Sequence, residues 1–249
     1  MCYVVYSLED EAGISITTEL KKIVPDVQLI AVEKDLIELK SSDMPPADLL
    51  IFASKHVGKL PSLTVHVSGN PGSEAPFGGA PHEVSKSAPL PMRVALETMK
   101  RLAPSGFQVT YEVTHHGPSD VSTPSFFAEL GSGPDQWSVS GYARVVAEGI
   151  AEVLRRCGDW GQFKVVLGLG GPHYAPNITK RVLASDLAVG HIVQGSILEE
   201  DDAERAIEVT LQANPDTIAI LLDWKGVNGE TRRKIFEIAE KFRLAVLRA

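Results

Sequence analysis

A chain of 249 residues with 44% hydrophobic content has ample material for a sizeable core. No run approaches the roughly 18 to 20 apolar residues of a membrane span, and the N-terminus enters a strand-like stretch with no basic leader ahead of it. The net charge of −8 argues against broad affinity for phosphate backbones, and the two cysteines, Cys2 and Cys157, are too few for a disulfide framework, so a soluble protein of the reducing cytoplasm is expected, meeting any RNA through a local patch.

The first third alternates short apolar strand candidates, residues 2–6, 27–32, 49–53 and 63–67, with a helix between residues 12 and 22, the pattern of an α/β sheet. From residue 68 to 91 the composition turns to glycine, proline and serine. A loop that long is either functional or disordered, and the embedded Phe77, His82 and Glu83 favour function. A helix follows over residues 92–102, introduced by Pro89 and Pro91, with Lys100 and Arg101 in its last turn and Pro104 as its stop. Residues 107–115 and 126–130 read as strands joined by the polar stretch HHGPSDVSTPS, and a helix over 141–156 leads into a buried-looking strand, 163–169, and the turn GLGGPHYAPN. The last third continues with strand 187–193, a helix near 201–212, strand 217–222, a helix from Asn228 and strand 244–247. With no repeat and no linker, residues 1–249 read as a single α/β domain of one or two lobes, a mixed central sheet flanked by helices.

All seven histidines fall outside the expected helices, and five stand at a strand end or in a glycine and proline loop, where α/β sheets build their sites. His115 and His116 close YEVTHH; neighbours on an extended chain face opposite ways, so one imidazole enters a cleft while the other braces it, and Asp120 in the same turn is placed to orient either ring. His82 and Glu83 in GGAPHE offer a neutral nitrogen ligand and a carboxylate able to act as ligand or general base, unless Glu83 merely caps the next segment. His173 follows Gly170 and Gly171, whose backbone N–H groups suit a phosphate or a developing oxyanion. Lys55 beside His56 can meet a phosphate, with Lys86, Arg93, Lys100, Arg101, Lys180 and Arg181 as further cations for the end of an RNA. The chain has no H-E-x-x-H and no G-K-[ST], and a triad of Ser119 or Ser122 with His116 and Asp120 lacks a G-x-S-x-G elbow.

The stretches FASKH (52–56), TVHVSGNPG (64–72), FGGAPHEVSKSAP (77–89), YEVTHHGPSDVSTPSFFAELGS (111–132), LGLGGPHYAPNITK (167–180) and GHIVQGS (190–196) together resemble the archaeal-type D-aminoacyl-tRNA deacylase family, which also has plant members. The resemblance implies a fold related to peptidyl-tRNA hydrolase and phosphorylase-like α/β proteins, dependence on zinc, and hydrolysis of the ester between a D-amino acid and the 3'-terminal ribose of tRNA. It also implies broad side-chain tolerance and rejection of L-aminoacyl-tRNA. On that reading some of His82, His115, His116 and His173 hold zinc, and Glu83 is the general base, with His115, His116 and Asp120 beside it. The loop from Phe77 through Gly78 and Gly79 to Pro81 forms the wall that an L side chain strikes, and Lys55, Lys86, Gly170 and Gly171 receive the tRNA end of a monomer or weak dimer. A metallopeptidase or phosphorylase relative would use similar histidines without tRNA, and a tRNA-end-binding module would bind without turnover. The crowding of acid, base and ligand candidates into short turns favours an enzyme.

Overall fold

The computed structural model describes residues 1–156 and 158–249; Cys157, one of the two cysteines, lies outside the described residues. Along the chain the elements are β1 (Cys2–Ser7), α1 (Glu11–Ile23), β2 (Leu29–Val32), β3 (Leu49–Val57), β4 (Ser62–His66), β5 (Gly69–Asn70), β6 (Glu83–Val84), α2 (Pro89–Leu102), β7 (Gln108–Tyr111) and β8 (Ser125–Ser132). They continue with α3 (Pro134–Trp137), α4 (Ser140–Arg156), β9 (Lys164–Leu169), α5 (Pro176–Leu183), β10 (Leu187–Val193), α6 (Ala203–Ala213), β11 (Ala219–Leu222), α7 (Gly229–Lys241) and β12 (Ala245–Arg248).

Among the described residues, six strands form one sheet in the order β2-β1-β3-β8-β4-β7, parallel except where β4 meets β8. Four more form a wholly parallel sheet, β10-β9-β11-β12. The mixed α/β class is the one expected from the sequence, with its strands divided over two sheets. Part of the 68–91 loop is also ordered, because β5 and β6 pair there as a short antiparallel ribbon.

Local sequence explains the packing. Asp10 caps α1 by accepting from the Gly13 amide, and Ala12, Ile16 and Leu20, spaced four apart, are fully buried against the first sheet. Burial of Ile16 and Leu20 contributes about 1.5–3 kcal/mol each. Helix α2 starts earlier than the sequence suggests, because Pro89 occupies a first-turn position that needs no N–H. It packs on α4 where Gly149 lets it approach; a Cβ there would stand 2.9 Å from Met99 Cγ. Arg93 on α2, expected as an RNA cation, is instead buried: its Nη1 donates to the Leu187 carbonyl at 2.8 Å and its Nη2 to Glu97 at 2.6 Å, pinning α2 to β10.

The strand expected over 107–115 stops at Tyr111, and the next three residues position the site. The Val113 amide bonds the His173 carbonyl at 3.0 Å and the Thr114 amide bonds that of Ile192 at 2.8 Å, while the Ala175 amide bonds the Tyr111 carbonyl at 3.1 Å. The Glu112 amide still bonds the Val65 carbonyl of β4, and Val113 and Thr114 then leave the first sheet for the turn after β9 and for β10. Backbone groups must find partners wherever they are buried, and here the partners belong to the other sheet. Among the described residues no helix is long and apolar enough to cross a membrane.

Candidate active site

Strands β3, β8 and β4 lie side by side, and their register sets Ser54 opposite Glu129 and Thr64 opposite Glu129. Glu129 interrupts the apolar run FFAELGS and is buried, which is tolerable only with partners. Ser54 Oγ donates to its Oε1 at 2.7 Å and Thr64 Oγ1 to its Oε2 at 3.3 Å. Burial opposes its charge, but the positive charge on His66 and the contact with His56 hold its carboxyl below the usual carboxylate range. His66, at the end of β4, lies flat on Phe127 with ring centroids 5.0 Å apart.

The segment after β7 delivers a second carboxylate. Glu112, also buried, has Oε1 2.9 Å from His56 Nδ1 and Oε2 3.0 Å from His173 Nε2 and 3.5 Å from His115 Nε2. Burial opposes ionisation, yet His173 and His56 keep this carboxyl well below its ordinary value. Burial also pulls on His56, but its contacts with Glu112 and Glu129 win and push it up to about 11, so the ring is an imidazolium. Its Nε2–H then points to the Tyr174 hydroxyl at 2.6 Å.

His115 and His116 go the other way. Burial, reinforced by the charge on His66, holds His115 well below its ordinary value and His116 down at about 4. Their Nδ1 atoms face the Val113 and Gly117 carbonyls at 2.8 and 2.6 Å. A carbonyl only accepts, so Nδ1 carries the proton and Nε2 the lone pair, the tautomer a metal ligand requires. The ring nitrogens of His66, His115 and His116 include three atoms within 4.8 Å of one another, as do ligand atoms of His56, Glu112 and His173. Both nitrogens of His66 and both carboxylate oxygens of Glu112 are buried without a well-aligned hydrogen-bond partner. Nitrogen and carboxylate donors so arranged fit a zinc-type cation.

Two adjoining hollows, of 330 and 340 Å³, share Phe77, His115, His116 and His173. The first is also lined by Lys55, His56 and Glu129. A larger hollow of 430 Å³ at the outer edge of β7 contains no carboxylate or histidine, and the chemistry lies in the first two.

Of the residues singled out in the sequence, the fold brings together His115, His116, His173, Phe77 and Lys55. His82 is elsewhere: Nδ1 faces the Pro71 carbonyl and Nε2 faces Asp202, each at 2.9 Å, so neither nitrogen is turned to the cluster. Glu83 sits on β6 and accepts from Ser119 Oγ, lining neither hollow. Asp120 accepts from the Ser41 amide at 3.0 Å and orients no imidazole. Lys86 is exposed and away from both hollows. Gly78 and Gly79 lie beside Phe77 with φ of 82° and 77°. The amides of Gly170 and Gly171 donate to the Val193 and Gly226 carbonyls, so neither is free for a phosphate or an oxyanion. Sequence reasoning missed Glu112, Glu129 and Tyr174 and gave His66 no role. The readable signal was a lone acid in each of the otherwise apolar strands, YEV and FFAEL.

Comparison with known proteins identifies the family. Residues 44–247 match the family model described as D-aminoacyl-tRNA deacylase. A D-aminoacyl-tRNA deacylase of Thermococcus kodakarensis is 42% identical over 205 residues, covering 81% of this chain and 74% of the relative. One from Pyrococcus furiosus is 36% identical over 232 residues, 90% of this chain and 84% of the relative. A crystal structure described as a conserved protein of unknown function superposes with a TM-score of 0.90 at 31% identity, over 100% of this chain and 95% of that one.

Proposed function

We infer the chemistry of the cleft from one premise: the chain belongs to the D-aminoacyl-tRNA deacylase family and hydrolyses the ester joining a D-amino acid to tRNA. The observation that carries the location is the meeting of neutral His115 and His116, which line both hollows, with the buried carboxylates Glu112, beside His115, and Glu129, in the first hollow.

In this reading His66, His115 and His116 hold a zinc ion, which when bound polarises an ester carbonyl and lowers the pKa of water toward about 7. Glu129 supports that role, because a carboxylate that draws a proton onto His66 draws a metal cation equally well. His173, half exposed, gives its Nε2–H to Glu112 and keeps the Nδ1 lone pair, so it takes the proton from the attacking water while Glu112 orients it and steadies the imidazolium. His173 is the general base in this reading in place of Glu83, which lines neither hollow. The His56 imidazolium lines the first hollow and offers positive charge to the oxyanion that develops at the carbonyl. The proton on His173 then passes to the ribose oxygen as the ester bond breaks.

Selection between isomers is steric in this account. D and L esters differ only in where the side chain projects from one carbon, and Phe77 stands between the hollows as a wall. Lys55 at the first hollow meets a terminal phosphate. The working unit in this reading is a monomer or weak dimer, acting in the cytoplasm where tRNA is charged.

The test is the rate at which D-tyrosine and L-tyrosine leave their tRNA esters, with zinc present and after chelation. Release of the D form alone, abolished by chelation and restored by zinc, is expected. Equal release of both isomers overturns the steric account, and release indifferent to chelation overturns the zinc.

A further inference from the structure

We propose that the acceptor arm of tRNA docks on a cationic patch formed by α5, the turn after β11, the start of α7 and the end of β12. The proposal rests on the deacylase reading. Its residues are Lys180, Arg181, Lys225, Arg232 and Arg248, arranged around Trp224.

Charge pairing sets this patch apart from α4 and α6, whose arginines all face carboxylates. In a chain of net charge −8, most exposed cations on α4, α6 and α7 sit against carboxylates: Arg155 and Arg156 with Glu152, Arg205 with Glu208, Lys234 with Glu230, Lys241 with Glu204. Among the described residues none of the five patch cations makes an ion pair. Two carboxylates line their hollow, the terminal one of Ala249 and that of Asp223, which is buried with both oxygens 3.1 Å from Asn177 Nδ2. Unpaired cations clustered on an acidic protein form a local positive field, which attracts a polyanion that the remaining surface repels.

The patch is also stiff. Trp224 lies between two guanidiniums, with Arg232 Cζ 4.7 Å and Arg248 Cζ 4.9 Å from its ring, and Arg232 Nη1 donates to the Trp224 carbonyl at 2.9 Å. Arginines already ordered by stacking lose little freedom when they take a phosphate, whose oxygens match the guanidinium fork.

Its position suits a partner whose end lies in the cleft. The Asp223–Gly226 turn interlocks with the Gly170–Gly171 turn: the Gly171 amide donates to the Gly226 carbonyl, and a Cβ on Gly226 would stand 2.3 Å from Gly171 N. Two residues beyond Gly171 is His173, in the wall of both hollows. The paired turns therefore link Lys225 and Trp224 of the patch to the segment that carries His173. That is the relation needed by a molecule held along its phosphates while its aminoacylated 3' end is hydrolysed.

The experiment neutralises the patch with Lys180→Gln, Lys225→Gln and Arg248→Gln together, and uses Arg155→Gln with Arg156→Gln on α4 as a control of paired cations. Binding of uncharged tRNA is measured against salt, and hydrolysis is measured on full D-tyrosyl-tRNA and on D-tyrosyl-adenosine, which has no acceptor stem. Loss of three phosphate contacts lowers the slope of log K against log salt by about 2 to 3 and raises KM for the full substrate by about tenfold or more, with kcat and the adenosine ester unchanged. The control behaves as the parent. A triple variant with the parent's salt slope and KM overturns the docking surface even where the enzyme is fully active. If the parent cleaves neither ester, the deacylase reading falls, and the salt slope with uncharged tRNA still decides whether RNA binds here.

Discussion

His173 Nε2 lies 3.0 Å from Oε2 of Glu112, a buried carboxylate, although one residue follows β7 of the first sheet and the other follows β9 of the second. Glu112 also touches His56 at 2.9 Å, so one carboxylate orients both the base and the cationic ring. Glu112→Gln keeps the shape and removes the charge. A kcat lower by about 10- to 100-fold is expected, with KM little changed and the His56 titration moved down toward neutrality. Steady-state kinetics and NMR of the imidazole report both effects. An unchanged His56 titration would show that Glu112 does not set the charge of that ring.

The zinc reading separates histidines that look alike in the sequence. His116→Asn removes a free Nε2 lone pair from the cluster and is expected to weaken zinc retention by about 10- to 100-fold, with a parallel loss of activity. His82→Asn is expected to leave both unchanged, since His82 is engaged by Pro71 and Asp202. Elemental analysis after dialysis against a graded chelator series distinguishes them. Zinc lost from the His82 variant would place the metal at the 68–91 loop.

The contrast between His82 and Glu112 shows what was legible in the chain. Period-two and helical patterns marked the longer strands and most helices, though not β5, β6, α3 or α5, because those signals come from which face each element buries. YEVTHH and GGPH singled out His115, His116 and His173, which the fold brings together. What could not be read was the departure of Val113 and Thr114 from the first sheet, since that depends on carbonyls of His173 and Ile192 far along the chain. With it went the role of Glu112, and with the β3, β8 and β4 register went that of Glu129. His82 was over-read because a histidine in a glycine loop has the same local sequence whether it faces a metal or a carboxylate such as Asp202.

Backbone space fixes the loop beside Phe77. Gly78 has φ 82°, and a Cβ there would meet the Ile37 carbonyl oxygen at 2.5 Å. Gly78→Ala combines a left-handed backbone with that clash and is expected to cost about 1–3 kcal/mol, lowering Tm by several degrees. Thermal unfolding of the variant measures it. An unaltered Tm would mean that the loop shifts at no cost.

Phe77 is 64% exposed, far more than its apolar ring needs, and it lines both hollows. Phe77→Ala is expected to raise hydrolysis of the L-tyrosyl ester by about tenfold and leave the D ester within about twofold, the scale on which a pocket wall discriminates by shape. Parallel deacylation assays give the ratio. A D over L preference that survives the substitution would move the selection to another wall of the cleft.

Acid sensitivity is expected from a histidine outside the reacting cluster. His191 on β10 is buried, with Nδ1 3.1 Å from Thr114 Oγ1. Burial, only partly offset by a backbone hydrogen bond to Ser85, lowers it from 6.5 to about 3. Between those values the unfolded chain holds a proton that the folded chain refuses, so stability is complete above pH 6.5 and falls as pH drops toward 3. Denaturation midpoints of the parent and of His191→Gln at pH 7 and pH 5 isolate this contribution, because His115 and His116 titrate alike in both. The variant is expected to lose less stability between the two pH values than the parent. Equal losses would mean that His191 takes up its proton inside the fold as readily as in the unfolded chain, and that burial does not hold it neutral.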